Sequence, residues 1–335
     1  MNAPPVVREF TAASRQQMEA TALREQMAIV FGDALRQPEH QNIMILPPLP
    51  GSDRYLLAVT KGGVPEVYGD ARDDQVKRLF GMVAGLAGRE LNGDSPRIDV
   101  TVPLTGERIH IDWPPIVAAP QCSIRKPYAG RITLCDYVAQ NVGTHGQIDR
   151  LRAIVRDRES LLISGSVGTG KTTLLRALSE EPDVQHGLPA FVQDPVEFVP
   201  SAPFAISFEA DRFGGEATST RSLVMNCLRW PVTHLFIGEA RGREMLEVTE
   251  AASTGNPIYS TLHARDAVHA LTRAAQMVGM AGIAMDATQM RWVAEAFRWV
   301  CHVARVGGKP RIAAIVQVRG YDPAAGFLTT PVGDP

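Results

Sequence analysis

The segment 160–178 constrains the fold of this chain more than any other. A run typical of a buried strand, Ser160–Ser164, leads directly into the loop Gly165–Thr172, and an apolar helical pattern follows at Leu174–Leu178. The loop has the spacing G-x-x-x-x-G-K-T of a phosphate-binding P-loop, which requires a strand before it and a helix after it. In that context successive backbone N–H groups face the phosphates, and the helix start adds partial positive charge. The sequence therefore predicts an α/β domain with a nucleoside triphosphate site.

Two side chains of this loop carry specific predicted chemistry. The ammonium group of Lys171 is placed to bind the β- and γ-phosphates, and the hydroxyl of Thr172 is placed to ligate Mg²⁺. The alternative is a glycine-rich turn that matches the motif by chance, and the flanking strand and helix argue against it. The residues predicted to bind the nucleotide in this loop are Gly165, Ser166, Val167, Gly168, Thr169, Gly170, Lys171, Thr172 and Thr173.

Length and composition limit the remaining classes of function. A chain of 335 residues indicates two domains, and its net charge of −2 provides no overall basic field, so we expect no direct nucleic-acid binding. The four cysteines lie far apart without a C-x-x-C pair, which indicates reduced thiols in a cytosolic protein and no zinc site. Residues 1–5 lack the apolar core of a signal peptide, and no run reaches the roughly 18 apolar residues of a membrane span. These features predict a soluble protein and leave a peripheral membrane contact open.

Residues 1–117 are predicted to form a small α+β domain. A proline-rich stretch from Trp113 to Pro120, followed by Pro127, indicates a linker, which is assigned to residues 118–140. The predicted elements of the first domain are a helix at Ala12–Leu35, a hairpin of Tyr55–Thr60 and Val64–Tyr68 around Gly62–Gly63, a helix at Asp74–Leu91, and strands at Arg97–Val102 and Arg108–Asp112.

Residues 141–335 are predicted to form a second domain in which strands alternate with helices, the pattern of an α/β sheet with helices on its faces. In such sheets ligands bind beyond the carboxyl ends of the strands, so the residues that follow each strand are candidates for a site. The predicted strands are Ser160–Ser164, Ala190–Gln193, His234–Gly238 and Pro257–Leu262, followed by a hairpin of Val300–Val306 and Arg311–Val318.

Five side chains near the ends of these strands are candidates for catalysis. Asp194 and Glu197 could orient a water molecule or hold Mg²⁺ through its water shell, and a solvated turn that caps a helix is an equally good interpretation. Glu239 ends an apolar strand in the Walker B pattern, in which the carboxylate contacts the Mg²⁺ shell or polarises the attacking water. Arg241 could reach phosphate oxygens. His263 could sense the γ-phosphate, although a lone histidine is more often structural.

Four motifs occur in order along the second domain: the P-loop, an acidic box at Asp194–Glu197, Gly238–Gly242 and Thr254–His263. Together they resemble the secretion ATPase superfamily, which includes type II secretion and type IV pilus motors and carries a P-loop, an acidic box, a Walker B motif and a histidine box. The resemblance implies a RecA-like ATPase domain that hydrolyses ATP with Mg²⁺. It also implies catalytic roles for Lys171, Asp194, Glu197, Glu239, Arg241 and His263, with Thr172 and Glu239 at the metal.

A second set of matches precedes the P-loop. The runs Gly106–Ile109, Trp113–Pro115 and Ser123–Pro127 resemble the segment that joins the domains of VirB-type type IV secretion and conjugation traffic ATPases. The resemblance implies a hexameric ring at the cytoplasmic face of the inner membrane, docked on inner-membrane components of a secretion machine. It further implies that nucleotide is held between the domains and contacted by Arg125 and Arg108. The alternative is two solvated surface arginines.

The chain departs from the family pattern at Gln193, because the acidic box of the family normally begins with Glu-Asp. A glutamine can orient a water molecule but cannot accept its proton, so turnover could be slow and Glu239 would be the remaining candidate base. Our first hypothesis is an ATP-hydrolysing hexameric motor that powers pilus assembly, substrate transfer or both. One alternative is a pilus retraction or type II secretion motor, and the run Asp194–Phe198 favours a retraction motor. The other alternative is a weakly catalytic nucleotide-gated scaffold.

Overall fold

A computed structural model describes residues 12–37, 39–40, 42–49, 51–61, 64–102, 105–126, 131–194, 196–210 and 215–332. The chain divides into two compact units, residues 1–129 and 130–335. Each unit has its own buried apolar core. Four features of the sequence analysis lie outside the described residues, namely residues 1–5, Gly62–Gly63, Pro127 and Pro195.

The first unit consists, in its described residues, of two helices on one antiparallel sheet. The strand order is β3-β2-β1-β6-β5-β4, and every neighbouring pair is antiparallel. Alternate residues of the strands are buried, so one face of the sheet packs with α1 and α2 in a common core. The elements are α1 (Ala12–Phe31), a 3-10 turn (Gly32–Leu35), β1 (Asn42–Leu46), β2 (Arg54–Lys61), β3 (Val64–Arg72), α2 (Asp73–Leu86), β4 (Arg97–Thr101), β5 (Arg108–Asp112) and β6 (Gln121–Arg125).

The predicted helices and strands of this unit are confirmed, with differences in length. The helix predicted at Ala12–Leu35 is α-helical to Phe31 and ends in a 3-10 turn, and the second helix is shorter than expected. That helix, α2, stops at Leu86 because the chain turns at Gly88, whose φ of +61° suits glycine. The two central strands, β1 and β6, were not predicted. Strand β6 lies inside the stretch 118–140 that was predicted to be a linker.

Within the described residues, no helix combines the length and apolar character that crossing a membrane requires.

The second unit contains the P-loop and an eight-stranded sheet. Its described elements are α3 (Leu134–Ala139), α4 (His145–Arg156), β7 (Leu161–Gly165), α5 (Lys171–Ser179), α6 (Pro182–Gln185), β8 (Pro189–Gln193), β9 (Ile206–Glu209), a 3-10 turn (Glu216–Thr218), α7 (Thr220–Cys227), β10 (His234–Ile237), α8 (Met245–Ser253), β11 (Ile258–His263), α9 (Ala267–Gly279), α10 (Ala287–Ala296), β12 (Trp299–Val306), β13 (Lys309–Asp322) and β14 (Gly326–Pro331).

The strand order of this sheet is β14-β13-β12-β7-β11-β10-β8-β9. The strands from β12 to β9 in that order are parallel, and the hairpin of β12 and β13 and the strand β14 continue the sheet in antiparallel fashion. All six predicted strands of this domain are confirmed, whereas β9 and β14 were not predicted. The predicted α/β fold class is therefore the one observed.

The centre of the sheet is packed by aromatic rings beneath the strand ends that carry the motifs. Phe191, Phe236 and Tyr259 lie on the neighbouring strands β8, β10 and β11, and each successive pair of rings is stacked at 4.9 Å between centroids. All three side chains are fully buried. Because such stacked rings have few alternative rotamers, they hold these three strands at a fixed spacing below the site.

Candidate nucleotide-binding site

The P-loop joins the buried strand β7 to helix α5 through three glycines with positive φ. These are Gly165 at +154°, Gly168 at +70° and Gly170 at +97°. A Cβ on Gly165 would collide with the backbone carbonyl oxygen of Val303 on the neighbouring strand β12. Glycine is therefore required there by space as well as by conformation. A Cβ on Gly168 would meet no atom within 4 Å, so the tip of the loop faces open space.

The ammonium group of Lys171 lies folded inside this loop. Its Nζ donates to the carbonyl oxygens of Gly165, at 3.1 Å, and Ser166, at 2.9 Å, and lies 3.2 Å from Nδ1 of His263. Burial lowers the pKa of Lys171, whereas the nearby carboxylates of Glu239 and Glu197 act in the opposite direction. The lysine is thus held at the place where a P-loop binds phosphate.

His263 connects the P-loop to the Walker B carboxylate. It is the direct register partner of Gly165 across the parallel pair β7–β11. Its Nδ1 lies 3.2 Å from Nζ of Lys171 and 3.3 Å from the carbonyl oxygen of Gly165. Its Nε2 lies 3.0 Å from Oε1 of Glu239, so the ring stands between the P-loop and the carboxylate.

Glu239 is held from two sides. Its Oε1 faces His263, and its Oε2 accepts from Nη2 of Arg241 at 2.8 Å. The strand ends around it are tied together, because the Thr261 hydroxyl donates to the carbonyl oxygen of Gly238 at 2.6 Å. The side chain of Glu239 is 17% exposed, which leaves it accessible to water while both neighbours stabilise its charge.

A cavity of about 230 Å³ opens beside this network. Glu239, Arg241 and His263 line it together with Arg273 of helix α9. The sequence analysis missed Arg273, and the available signal was weak: it lies on the helix that follows His263, ten residues further along the chain. The arrangement surrounds one carboxylate with three basic side chains, which suits an anion such as phosphate.

A second residue that the sequence analysis missed supports the P-loop from the hairpin of β12 and β13. Nε of Arg305 donates to the carbonyl oxygen of Gly168 at 3.0 Å, and its Nη1 donates to that of Gly308 at 2.6 Å. A P-loop binds phosphate with its backbone N–H groups. Because Arg305 binds the carbonyl oxygen of Gly168, it favours the orientation of that peptide in which the opposite N–H can face a phosphate. A lone arginine in a strand provides no sequence signal for this role.

The acidic box follows strand β8 and begins with a side chain that bonds within its own loop. Gln193 is 2% exposed, and its amide contacts the backbone of Glu197 and Phe198. Asp194 comes directly after the strand. Strand β8 neighbours β10, so the acidic box lies next to the strand that leads to Glu239.

The two arginines predicted to contact nucleotide lie in the first unit. Arg108 on β5 and Arg125 on β6 are direct register partners in the antiparallel sheet. Two like charges placed opposite one another disfavour the pair unless anions lie nearby. Their role in nucleotide binding stays a prediction.

The donors of the second unit fit a nucleotide with Mg²⁺. The loop supplies a buried ammonium group at Lys171 and a left-handed turn at Gly168, and the half-buried Thr172 places a hydroxyl in the first turn of α5. Glu239 adds a carboxylate oxygen, the kind of ligand that Mg²⁺ contacts directly or through water. These groups are the ones that bind phosphate and Mg²⁺ in P-loop proteins.

Comparison with known proteins adds independent observations. The family described as "Type II/IV secretion system protein" matches residues 93–320. The chain is 28% identical over 249 residues to the conjugal transfer protein TrbB of Rhizobium radiobacter, which covers 72% of this chain and 74% of that protein. It is 26% identical over 201 residues to the type IV secretion system protein VirB11 of Brucella suis biovar 1 (strain 1330), over 52% and 55% of the two chains.

Among solved structures, the crystal structure of the pilus retraction motor PilT with bound ADP is similar in fold. The TM-score is 0.62 at 16% sequence identity, over 92% of this chain and 82% of that chain. At this identity the likeness concerns the fold alone.

Proposed function

The chain belongs to the family of type II/IV secretion system proteins, and from this premise we propose that it is the ATP-hydrolysing hexameric motor of a type IV secretion or conjugation system. The observation that carries the proposal is the series of contacts from Lys171 through His263 to Glu239. This series joins the phosphate-binding loop to the Walker B carboxylate, as an enzyme that couples γ-phosphate contact to hydrolysis requires. The similarity to conjugal transfer and type IV secretion proteins supports the biological setting.

In the proposed binding step, the loop residues 165–173 hold the phosphates of ATP. Lys171 would exchange its two contacts with loop carbonyls for contacts with β- and γ-phosphate oxygens. The exchange is favourable because the buried ammonium group then faces anionic oxygens in place of neutral ones. The start of α5 contributes its unbonded N–H groups to the same phosphates.

In the proposed hydrolytic step, Glu239 accepts or polarises the proton of the attacking water. Arg241 and His263 both contact the carboxylate of Glu239, so they hold its orientation. When Lys171 turns to phosphate, Nδ1 of His263 loses its contact with Lys171, and the histidine can respond to the γ-phosphate. Arg241 is close enough to balance charge that develops on the phosphate, and Asp194 and Glu197 supply carboxylates on the neighbouring loop.

Bound Mg²⁺ supplies a positive charge that neutralises the β- and γ-phosphate oxygens. We infer that Thr172 ligates it directly and that Glu239 contacts its shell. We also infer that Arg108 and Arg125 add positive charge to the nucleotide, in line with the family pattern around them. The proposed partners are other copies of this chain and inner-membrane components of the secretion machine, at the cytoplasmic face of the membrane.

A pilus retraction motor is the second candidate. The run Asp194–Phe198 favours it, because that acidic box is similar to the box of retraction motors. The fold likeness to PilT is compatible with either role. We favour type IV secretion because the relatives with the higher sequence identity are conjugal transfer and type IV secretion proteins.

The proposal is tested by steady-state ATP hydrolysis of the purified full chain and of Lys171→Ala. We expect the substitution to lower kcat/KM by at least about a hundredfold, because it removes the charge that faces the phosphates. Lys77→Ala, which removes an exposed lysine paired with Asp73 on helix α2, is the matched control and should retain wild-type activity. Hydrolysis that survives in Lys171→Ala would refute the P-loop assignment.

The assignment of the base is tested separately with Glu239→Gln. This variant keeps the shape of the side chain and should bind ATP normally while losing hydrolysis, by about a hundredfold or more. Binding is measured with a fluorescent ATP analogue in parallel with turnover. A wild-type protein that binds ATP without hydrolysing it would instead favour the nucleotide-gated scaffold.

A further inference from the structure

The side chain of Gln193, at the end of β8, forms hydrogen bonds with the backbone of the loop that follows it. Its Oε1 accepts from the backbone N–H groups of Glu197, at 3.0 Å, and Phe198, at 3.3 Å. Its Nε2 donates to the carbonyl oxygen of Phe198 at 2.9 Å. One carboxamide therefore uses both of its ends to bind the backbone of Glu197 and Phe198, and it does so while buried.

This network decides which chemical group fits at position 193. Two backbone donors require an oxygen, and one carbonyl requires an N–H, so the amide has a single satisfactory orientation. An ionised carboxylate could accept from both N–H groups, but it has no hydrogen to donate. The carbonyl oxygen of Phe198 would then face a buried negative charge without a donor between them, which is costly. The loop therefore fits a neutral side chain that both donates and accepts.

Both ends of the loop are anchored to the core of the unit. Phe198 is 3% exposed, meets the ring of Phe191 edge-on at 5.8 Å, and lies under the guanidinium group of Arg176 at 5.9 Å. At the other end, a Cβ on Gly238 would stand 3.5 Å from Cα of Gln193. The residue before Glu239 thus packs directly on Gln193. The carboxamide therefore joins the backbone at Phe198 to the strand end that packs against Gly238.

The anchored loop carries Glu197, whose charge reaches the P-loop. The carboxylate of Glu197 is close enough to raise the pKa of Lys171 against the effect of burial. The backbone N–H of the same residue is one of the two that Gln193 binds. The carboxamide therefore holds the backbone of the residue that carries this carboxylate.

We propose that Gln193 is a positioning residue, whose neutral carboxamide holds the backbone of Glu197 and Phe198 beside the strand end that leads to Glu239, and that it is not a weakened catalytic base. The catalytic part of this proposal rests on the ATPase function proposed above. It reverses the expectation from the sequence that a glutamate at this position would improve turnover. The base would then be Glu239 alone.

The test is the variant Q193E, compared with wild type and with Q193M by steady-state ATP hydrolysis at about pH 8. We expect Q193E to have kcat lowered by about tenfold, with KM for ATP within about twofold of wild type, because an ionised carboxylate cannot donate to the carbonyl oxygen of Phe198. Q193M adds no charge and should also lower kcat, because its side chain can form none of the three hydrogen bonds.

Urea unfolding of the same proteins without nucleotide provides a readout that does not depend on ATP. Q193E and Q193M should both have a lower free energy of unfolding than wild type, because each leaves the carbonyl oxygen of Phe198 without its donor. If wild type hydrolyses no ATP, the proposed function fails, while this comparison still decides the role of the carboxamide.

Two outcomes would overturn the proposal. One is a Q193E protein with kcat above that of wild type at neutral or alkaline pH, which would identify Gln193 as a weakened base. The other is measured on wild type alone, so it does not require any variant to fold. In hydrogen exchange, the amides of Glu197 and Phe198 should be protected, and exchange at the rate of an open loop would show that the carboxamide does not bind them.

Discussion

At the level of single residues, a buried histidine next to the P-loop strand has a defined protonation state. This residue, His302 on β12, lies outside the predicted motifs, and its Nδ1 lies 2.9 Å from the Ser164 hydroxyl on the P-loop strand. Burial lowers the pKa of His302, Asp266 acts in the opposite direction, and the charge of Lys171 lowers it further. His302 is therefore neutral in the folded protein at neutral pH.

This neutrality predicts a loss of stability in acid. The pKa of His302 is lower in the folded than in the unfolded chain, so below about pH 6.5 the unfolded state binds more protons and the free energy of unfolding falls. His302→Asn keeps a hydrogen bond to Ser164 but cannot titrate. Its free energy of unfolding should therefore fall less between about pH 7.5 and pH 5.5 than that of wild type. Urea unfolding at each pH measures the difference. His186→Asn, which replaces an exposed histidine, is the control, and equal slopes in all three proteins would contradict the assignment.

The residues of the site differ in how far sequence could predict them. Lys171, Glu239 and His263 were identified because each belongs to a motif with a defined place at a strand end. Gln193 was identified only as a departure from a pattern, because its three hydrogen bonds go to backbone atoms that no motif encodes. Arg273 and Arg305 were missed because only the tertiary structure brings them to the site.

At the level of elements, the β12–β13 hairpin acts as a support for the P-loop. Its residue Pro310 lies 3.8 Å from the place of a Cβ on Gly170, and Arg305 bonds the carbonyl of Gly168. The P-loop is thus bounded by the hairpin on one side and by His263 on the other. Helix α5 and strand β7 alone would leave the loop tip without these restraints.

Removal of this support should weaken nucleotide binding more than it slows the hydrolytic step. We expect Arg305→Ala to raise KM for ATP by about fivefold, the equivalent of one hydrogen bond of about 1 kcal/mol, with little change in kcat. Arg319→Ala is the matched control, because Arg319 lies on the same hairpin but bonds Thr330 on β14. Equal effects of the two substitutions, measured by steady-state kinetics, would show that the contact with Gly168 is not used.

The elements that sequence missed have a common physical reason. Strands β1 and β6 form the centre of the first sheet, yet each has only five residues and lies beside proline-rich segments. Their alternation, with Ile43, Ile45, Cys122 and Ile124 buried, is too short to stand out without the neighbouring strands. Pairing with distant strands decides their structure, which local propensity does not encode.

At the level of the whole molecule, the second unit has a RecA-like fold with a P-loop, as predicted, and the chain belongs to the family of type II/IV secretion system proteins. The proposed ring predicts a particle of six copies of the 36.4 kDa chain in the presence of ATP and Mg²⁺. Light scattering coupled to gel filtration, over a series of protein concentrations, measures this mass. A monomer at all concentrations, with and without nucleotide, would contradict the hexamer. A dimer or trimer would require a different assembly.

Local sequence was sufficient for the P-loop, for the alternation of strands and helices, and for the position of Asp194, Glu239 and His263 at the carboxyl ends of strands. These features depend on spacing within about twenty residues, where periodicity and turn chemistry operate. Strand order was decided only in the tertiary structure. Along the chain the P-loop is followed by the acidic box, the Walker B motif and the histidine box, but across the sheet β11 lies between β7 and β10. His263 therefore lies between Lys171 and Glu239 because long-range strand pairing, driven by burial of both sheet faces, places it there.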